Sequence, residues 1–103
     1  MGATTVSGRL DPALIQRAIR VHYEDFRRCY QTGLDSNPKL EGRVSARFTI
    51  TPDGTVESVS DYDSDLPDPD VIACVFREFA EICFPMPEGR PVTVVYPMML
   101  IPE

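Results

Sequence analysis

Three cysteines, one histidine and a run of alternating aspartates are the residues of this 103-residue chain with chemical potential. Cys29, Cys74 and Cys83 offer thiolates or crosslinks, His22 offers a base or a ligand, and Asp61-x-Asp63-x-Asp65 offers oxygen ligands. A Cys–His nucleophilic pair needs direct hydrogen-bond reach. His22 and Cys29 share a helical face seven residues apart, ~10 Å along the axis, so that pair is set aside and His22 reads as a core or boundary histidine. Zinc finds no CxxC pair and no second histidine. The aspartates have the 1-3-5 spacing of a calcium loop, but the next position is Leu66 where the loop needs glycine, and the twelfth is Ile72 where it needs a bidentate glutamate. Asp65, Asp68 and Asp70 read instead as a solvated turn leading into a helix, whose N-terminus favours carboxylates. The serines are scattered and have no base partner. The expectation is therefore no catalytic residue, no metal and no other cofactor.

Crosslinking is the better reading of the cysteines. Cys29 falls late on the first helical stretch and Cys74 early on the second. If both helices lie on one sheet face, the two positions come within the ~4–7 Å Cα separation that a disulfide requires. Cys74 and Cys83 on one continuous helix would stand ~13.5 Å apart and could not bond. A Cys29–Cys83 pairing and three buried free thiols stay open as alternatives. A crosslink would help a chain this small, whose single core is only marginally stabilising.

The elements that must position these residues are marked by local chemistry. Residues 1–10 read as a loose leader or linker, and 11–103 as one domain. Asp11-Pro12 is a helix start, an N-cap carboxylate followed by proline at the first helical position. Ile15, Ala18, Ile19, His22, Phe26, Cys29 and Tyr30 then recur at helical spacing, and Gly33 reads as the stop. Along 43–50, Val44, Ala46, Phe48 and Ile50 alternate with Arg43, Ser45, Arg47 and Thr49, which predicts a half-buried strand. Thr51-Pro52-Asp53-Gly54 is a tight turn into a second strand over about 56–62. Val56 and Val59 can share a face of that strand only through a bulge. Asp68-Pro69 repeats the helix-start chemistry, with Val71, Cys74, Val75, Phe79 and Ile82 on one side. Phe84-Pro85-Met86-Pro87 ends that helix. A last strand runs from Val92 to about Ile101. Pro91 and Pro97 cannot donate to a ladder, so it is expected at a sheet edge. The predicted fold class is α+β, order αββαβ: a three-stranded antiparallel sheet in order 2-1-3 with two helices on one face.

Charge narrows the partners. The net charge is −6; residues 1–52 carry about +3 and residues 53–103 about −9. An acidic chain with a single lysine is a poor ligand for nucleic acid, whose affinity rests on neutralising phosphates. Arg17, Arg20, Arg27 and Arg28 read as a solvated helix face, with Arg20–Glu24 and Glu24–Arg28 at i,i+4 spacing. No apolar run reaches the ~20 residues of a spanning helix, and the start lacks the basic and apolar regions of a signal peptide. An excised piece of a longer exported protein is the preferred setting, a cytoplasmic chain the other.

The stretches GRL (8–10), FRRCYQTGL (26–34), NPKLEGRVSARFTI (37–50), PDGTVESV (52–59), SDLPDPDVIACV (64–75), FPMPEG (84–89) and VTVVYP (92–97) follow one another in an order that resembles the C-terminal domain of TonB-type energy transducers. The similarity is greater to the AgmX/PglI C-terminal variety of myxobacterial gliding-motility and related envelope proteins. Gln31, where glutamate is common, Arg90, where a second glycine is common, and the additional Cys83 depart from the pattern. The resemblance implies a periplasmic module, without cofactor, at the end of a long membrane-anchored protein. It also implies a partner in an extended peptide of an envelope or outer-membrane protein, added to the sheet as a strand.

The last strand is the candidate binding site on its own residues too. Val92, Thr93, Val94, Val95 and Tyr96 are uncharged, β-branched or aromatic, and bracketed by Pro91 and Pro97. An exposed edge presents unpaired main-chain groups that an extended peptide can use. Two other occupants compete in this reading: a terminal segment covering the edge, and a second copy pairing through it in a structural, self-associating domain.

Overall fold

Two aspartates start helices in the computed structural model, which describes residues 5–102. Asp11 accepts the N–H of Ala13 at 2.9 Å, and Asp68 accepts those of Asp70 and Val71 at 3.1 Å each. Each carboxylate satisfies donors that the first helical turn leaves orphaned, with proline next in sequence where no donor is needed. The elements run β1 (Thr5–Ser7), α1 (Pro12–Val21), α2 (Tyr23–Ser36), β2 (Gly42–Ile50), β3 (Val56–Asp61), α3 (Pro69–Glu81) and β4 (Val92–Leu100).

The three long strands form the expected antiparallel sheet. β2 pairs with β3 on one side and, from Gly42↔Leu100 to Ile50↔Val92, with β4 on the other. That is the order 2-1-3. Val44, Ala46, Phe48 and Ile50 of β2 are fully buried, as their alternation requires. The bulge demanded by Val56 and Val59 lies in β3: Thr49 faces Glu57 and Arg47 faces Ser60, so Phe48 alone opposes Ser58 and Val59. Ser58 takes up the extra residue with φ +59°. Both valines then pack on the core.

α2 and α3 cover one face of the sheet. Phe79 of α3 lies 4.8 Å from Phe26 of α2 and 5.3 Å from Phe48 of β2, centroid to centroid, and Phe48 lies 5.6 Å from Phe84. Cys29 of α2 and Cys74 of α3 are joined as a disulfide with Cα atoms 5.7 Å apart; Cys83 is free and exposed.

Four expectations need correction. The first helical stretch is two helices, broken at His22 (φ −95°, ψ 10°). The apolar spacing runs through the break, because Ile15, Ile19, Phe26, Cys29 and Tyr30 all stay buried. Gly33 is not the stop; α2 continues to Ser36. A Cβ at Gly33 would stand 2.5 Å from Val71 Cγ2 and 2.6 Å from Leu40 Cδ2, so this glycine permits the close approach of α3. Within the expected loose leader, Thr5–Ser7 form a strand on β4, while the part of it at 1–4 lies outside the described residues. The sheet order is β1-β4-β2-β3, so β4 is not the edge strand along Thr93–Val95. Backbone pairing with the far end of the chain covers it there.

The hairpin turn depends on Gly54. Its N–H donates to Thr51 O at 2.9 Å, its carbonyl accepts from Phe84 N–H at 2.9 Å, and its φ is +88°. A side chain there would meet the Phe84 carbonyl oxygen. Hydrogen bonds from the Thr51 hydroxyl, then from Thr55, hold the Asp53 carboxyl below the usual carboxylate range. Its stabilising contribution is present above that range and lost as pH falls through the lowered value. Gly54→Ala should cost on the order of 1–3 kcal/mol, read as a lower denaturant midpoint, with an equal midpoint counting against this account.

The disulfide spans a sequence separation of 45. Replacing Cys29 and Cys74 by serine together should cost about 4 kcal/mol in the chain-entropy model, whereas Cys83→Ser should stay within about 0.5 kcal/mol. Mass spectrometry of the unreduced protein should find one alkylatable thiol; three would refute the crosslink.

Candidate functional site

The outer side of β4 can be phased from the other side of β2. Ser45 turns its main chain toward the hairpin: its carbonyl accepts from Tyr62 N–H and its N–H donates to Ser64 Oγ, both at 2.9 Å. Arg43 does the same, accepting from Asp65 N–H at 2.9 Å and donating its own N–H to Asp65 Oδ1 at 2.5 Å. Across the ladder, Ser45 faces Pro97 and Arg43 faces Met99. These are non-hydrogen-bonded pairs of an antiparallel ladder, so Pro97 and Met99 turn their main-chain groups outward, away from β2. Alternation places Thr93 and Val95 in the same outward phase, and Val92, Val94 and Tyr96 in the phase that bonds β2.

β1 meets this outer side at Thr5↔Val95, Val6↔Val94 and Ser7↔Thr93. Beyond Val95 no described residue pairs with it. Pro97 sits in that stretch, with its missing donor turned outward where the β2 ladder loses nothing. The proline therefore marks an edge, but for the second half of β4 only.

Of the five candidate residues, Val92 and Val94 are fully buried under the helices. Thr93, Val95 and Tyr96 are half-buried. Tyr96 lies 6.0 Å from Phe79, and burial pushes its phenol pKa up against the opposing charge of Arg20. Between the second half of β4 and the helices runs a groove of about 870 Å³, lined among others by Ile19, Arg20, Tyr23, Tyr30, Leu34 and Met99. Tyr30 is anchored beneath it. Its hydroxyl donates to the Leu40 carbonyl, and burial, then the charge of Glu41, raises its pKa. The groove is not among the sites expected from the sequence, where the helix-face arginines read as solvated. The available signal was Tyr23, a large aromatic out of phase with the buried stripe.

The remaining chemical residues have structural surroundings. Arg43 donates to the Asp63 carbonyl at 2.9 and 3.1 Å and pairs with the carboxylates of Asp63 and Asp65 at 3.4 and 3.7 Å. Asp61 accepts the Ser64 N–H at 2.9 Å. The alternating aspartates thus fasten the crossing from β3 to α3. His22 sits at the α1–α2 joint with Nδ1 3.7 Å from Asp25 and 3.9 Å from Glu78. These three form the one group among the described residues placed to hold a metal, their ligand atoms within 4.8 Å of one another. One imidazole and two carboxylates fall short of the four-coordinate protein donor sets of structural zinc. Glu78 is far from His22 in sequence, so spacing could not reveal the group.

No family model matches the chain, and no curated protein matches it. Two solved structures do. The C-terminal domain of Helicobacter pylori TonB (residues 179–285), an NMR structure, aligns with TM-score 0.53 and 20% identity over 79% of this chain and 80% of that one. The C-terminal domain of Pseudomonas aeruginosa TonB aligns with TM-score 0.49 and 18% identity over 94% of this chain and 84% of that one. The fold of this chain is that of a TonB C-terminal domain, on the strength of the first alignment. No helix among the described residues is long and apolar enough to cross a membrane.

The phase of β4 makes a test that needs no partner. Val94→Pro removes a donor from the β2 ladder and should cost on the order of 1–3 kcal/mol. Val95→Pro removes only the donor facing β1 and should cost less. Equal denaturant midpoints for the two variants would show the phase to be misassigned.

Proposed function

We propose that this domain is the non-enzymatic, protein-binding module of a trans-envelope machine, either TonB-like energy transduction or gliding motility of the AgmX/PglI type. In this reading it is periplasmic, carried by a longer protein anchored in the inner membrane. It grips an extended peptide of an envelope or outer-membrane protein by strand addition along Val92–Tyr96. Main-chain hydrogen bonds of Thr93 and Val95 supply affinity, and the neighbouring side-chain sites supply selection.

The observation that carries the reading is the β1–β4 pairing itself. Among the described residues, Thr5–Ser7 are held antiparallel on the outer side of β4 through Thr93 and Val95. An incoming peptide would use the same main-chain groups that this pairing uses. The Cys29–Cys74 crosslink supports an oxidising compartment such as the periplasm. The TonB fold supports the docking mode by analogy of architecture.

Removing residues 1–7 bares the outward groups of Thr93 and Val95, so that variant used as bait should capture its envelope partner more strongly than the whole chain. Val95→Pro should lose the partner while circular dichroism shows the helices intact. Equal capture by all three baits would rule out strand addition here. A shift of the truncated domain to a stable dimer in sedimentation would assign the edge to self-association instead.

A further inference from the structure

The groove beside the second half of β4 differs in charge from the domain around it. The chain holds 16 acidic and 10 basic residues. None of the seventeen residues lining the groove is acidic, and two, Arg20 and Arg27, are arginines. The groove also gathers Tyr23, Met99 and Ile101, each between 44% and 58% exposed, which are half of the large apolar residues that the described surface leaves bare. Apolar surface concentrated beside a local positive charge on an acidic protein is a selective surface rather than a random one.

The break at His22 creates this charge. On one continuous helix Arg20 would pair with Glu24 at i,i+4. Because the helix breaks between them, Glu24 lies instead 3.9 Å from Arg27, and Arg28 lies 3.4 Å from Asp25. Among the described residues no carboxylate is within ion-pair distance of Arg20. Its charge acts on Tyr96, on β4.

We propose that this groove selects an acidic strand. The inference rests on strand addition at β4 and specifies its guest. The peptide takes the place of β1 and continues along the outward groups of Pro97 and Met99. Side chains of a strand alternate between faces, so every second guest residue falls on the helix side. There an apolar one packs against Tyr23, and an aspartate or glutamate meets the Arg20 guanidinium. A basic peptide would place its charges against Arg20.

Fluorescence anisotropy of the full chain with three labelled peptides tests this: repeats of Val-Thr-Xaa-Thr, in which valine and Xaa fall on one face, with Xaa as glutamate, as glutamine and as lysine. The glutamate peptide should bind most tightly and the lysine peptide most weakly, and added salt should narrow the gap. Arg20→Gln should weaken the glutamate peptide about three- to five-fold, the range of one partly exposed ion pair, and leave the glutamine peptide unchanged. Val95→Pro should weaken all peptides that bind. Loss at Val95→Pro with none at Arg20→Gln would overturn the charge selection while leaving strand addition standing. Normal binding to Val95→Pro would overturn strand addition and this inference with it. So would an absence of binding by all three peptides, or a dimer that fills the groove in sedimentation.

Discussion

The ladder between β2 and β4 is the interaction on which the rest of this structure depends. It joins residues 42–50 to residues 92–100 in nine successive pairs. Everything between them, the hairpin return and α3, is an excursion whose ends are held side by side by that ladder. Closing so long a loop costs chain entropy before any contact repays it. The burial of Val44, Phe48, Ile50, Val92 and Val94 on the same sheet face, all with no exposed surface, is the repayment. The Cys29–Cys74 bond then fastens the excursion from above, binding α3 to α2 where Phe79 lies between Phe26 and Phe48. The outer side of β4 inherits the rigidity of this ladder. The outward phase of Thr93, Val95, Pro97 and Met99 cannot slip without turning buried valines into solvent.

The break at His22 shows how one backbone irregularity redistributes charge. Its apolar phase is nearly that of an unbroken helix, so the core gives no sign of it. Its polar phase is different: partners that would be one turn apart lie on two helices with separate axes. Glu24 joins Arg27, Asp25 joins Arg28 and His22, and Arg20 is left facing β4. The same joint brings His22 beside Glu78 of α3.

What was legible in the sequence was what local chemistry dictates. Asp11-Pro12 and Asp68-Pro69 specify caps wherever they occur, the alternation of 43–50 allows one buried face, and two valines out of phase require a bulge. The order of the long strands followed from the chain's elements taken together. Two helices on one face made Cys29–Cys74 the preferred pairing, and the structure joins these two and leaves Cys83 free. The illegible parts lack a local signal. β1, described from Thr5 to Ser7, pairs with β4, which is far from it in sequence. Gly33 has the composition of a helix stop and the environment of a helix contact, a difference that only Val71 and Leu40 decide. The groove needs α1, α2 and β4 at once, so no spacing within any one of them announces it.

An uncovered uncharged strand is a template for aggregation, and a deeply covered one cannot bind. β4 meets both constraints by dividing its outer side. Thr93–Val95, the most β-prone part, carries a strand of its own chain. The next outward position is Pro97, which offers an acceptor and no donor, so an indiscriminate partner gains little there. Lengthening β1 would protect the edge further, but each added pair would have to be surrendered before a guest could enter. Deleting it would expose two complete donor–acceptor sets to any extended chain. The described pairing of Thr5–Ser7 with Thr93–Val95 lies between these outcomes. In the proposed docking mode selectivity comes from side chains, and the groove beside Pro97 and Met99 is where the described surface offers them.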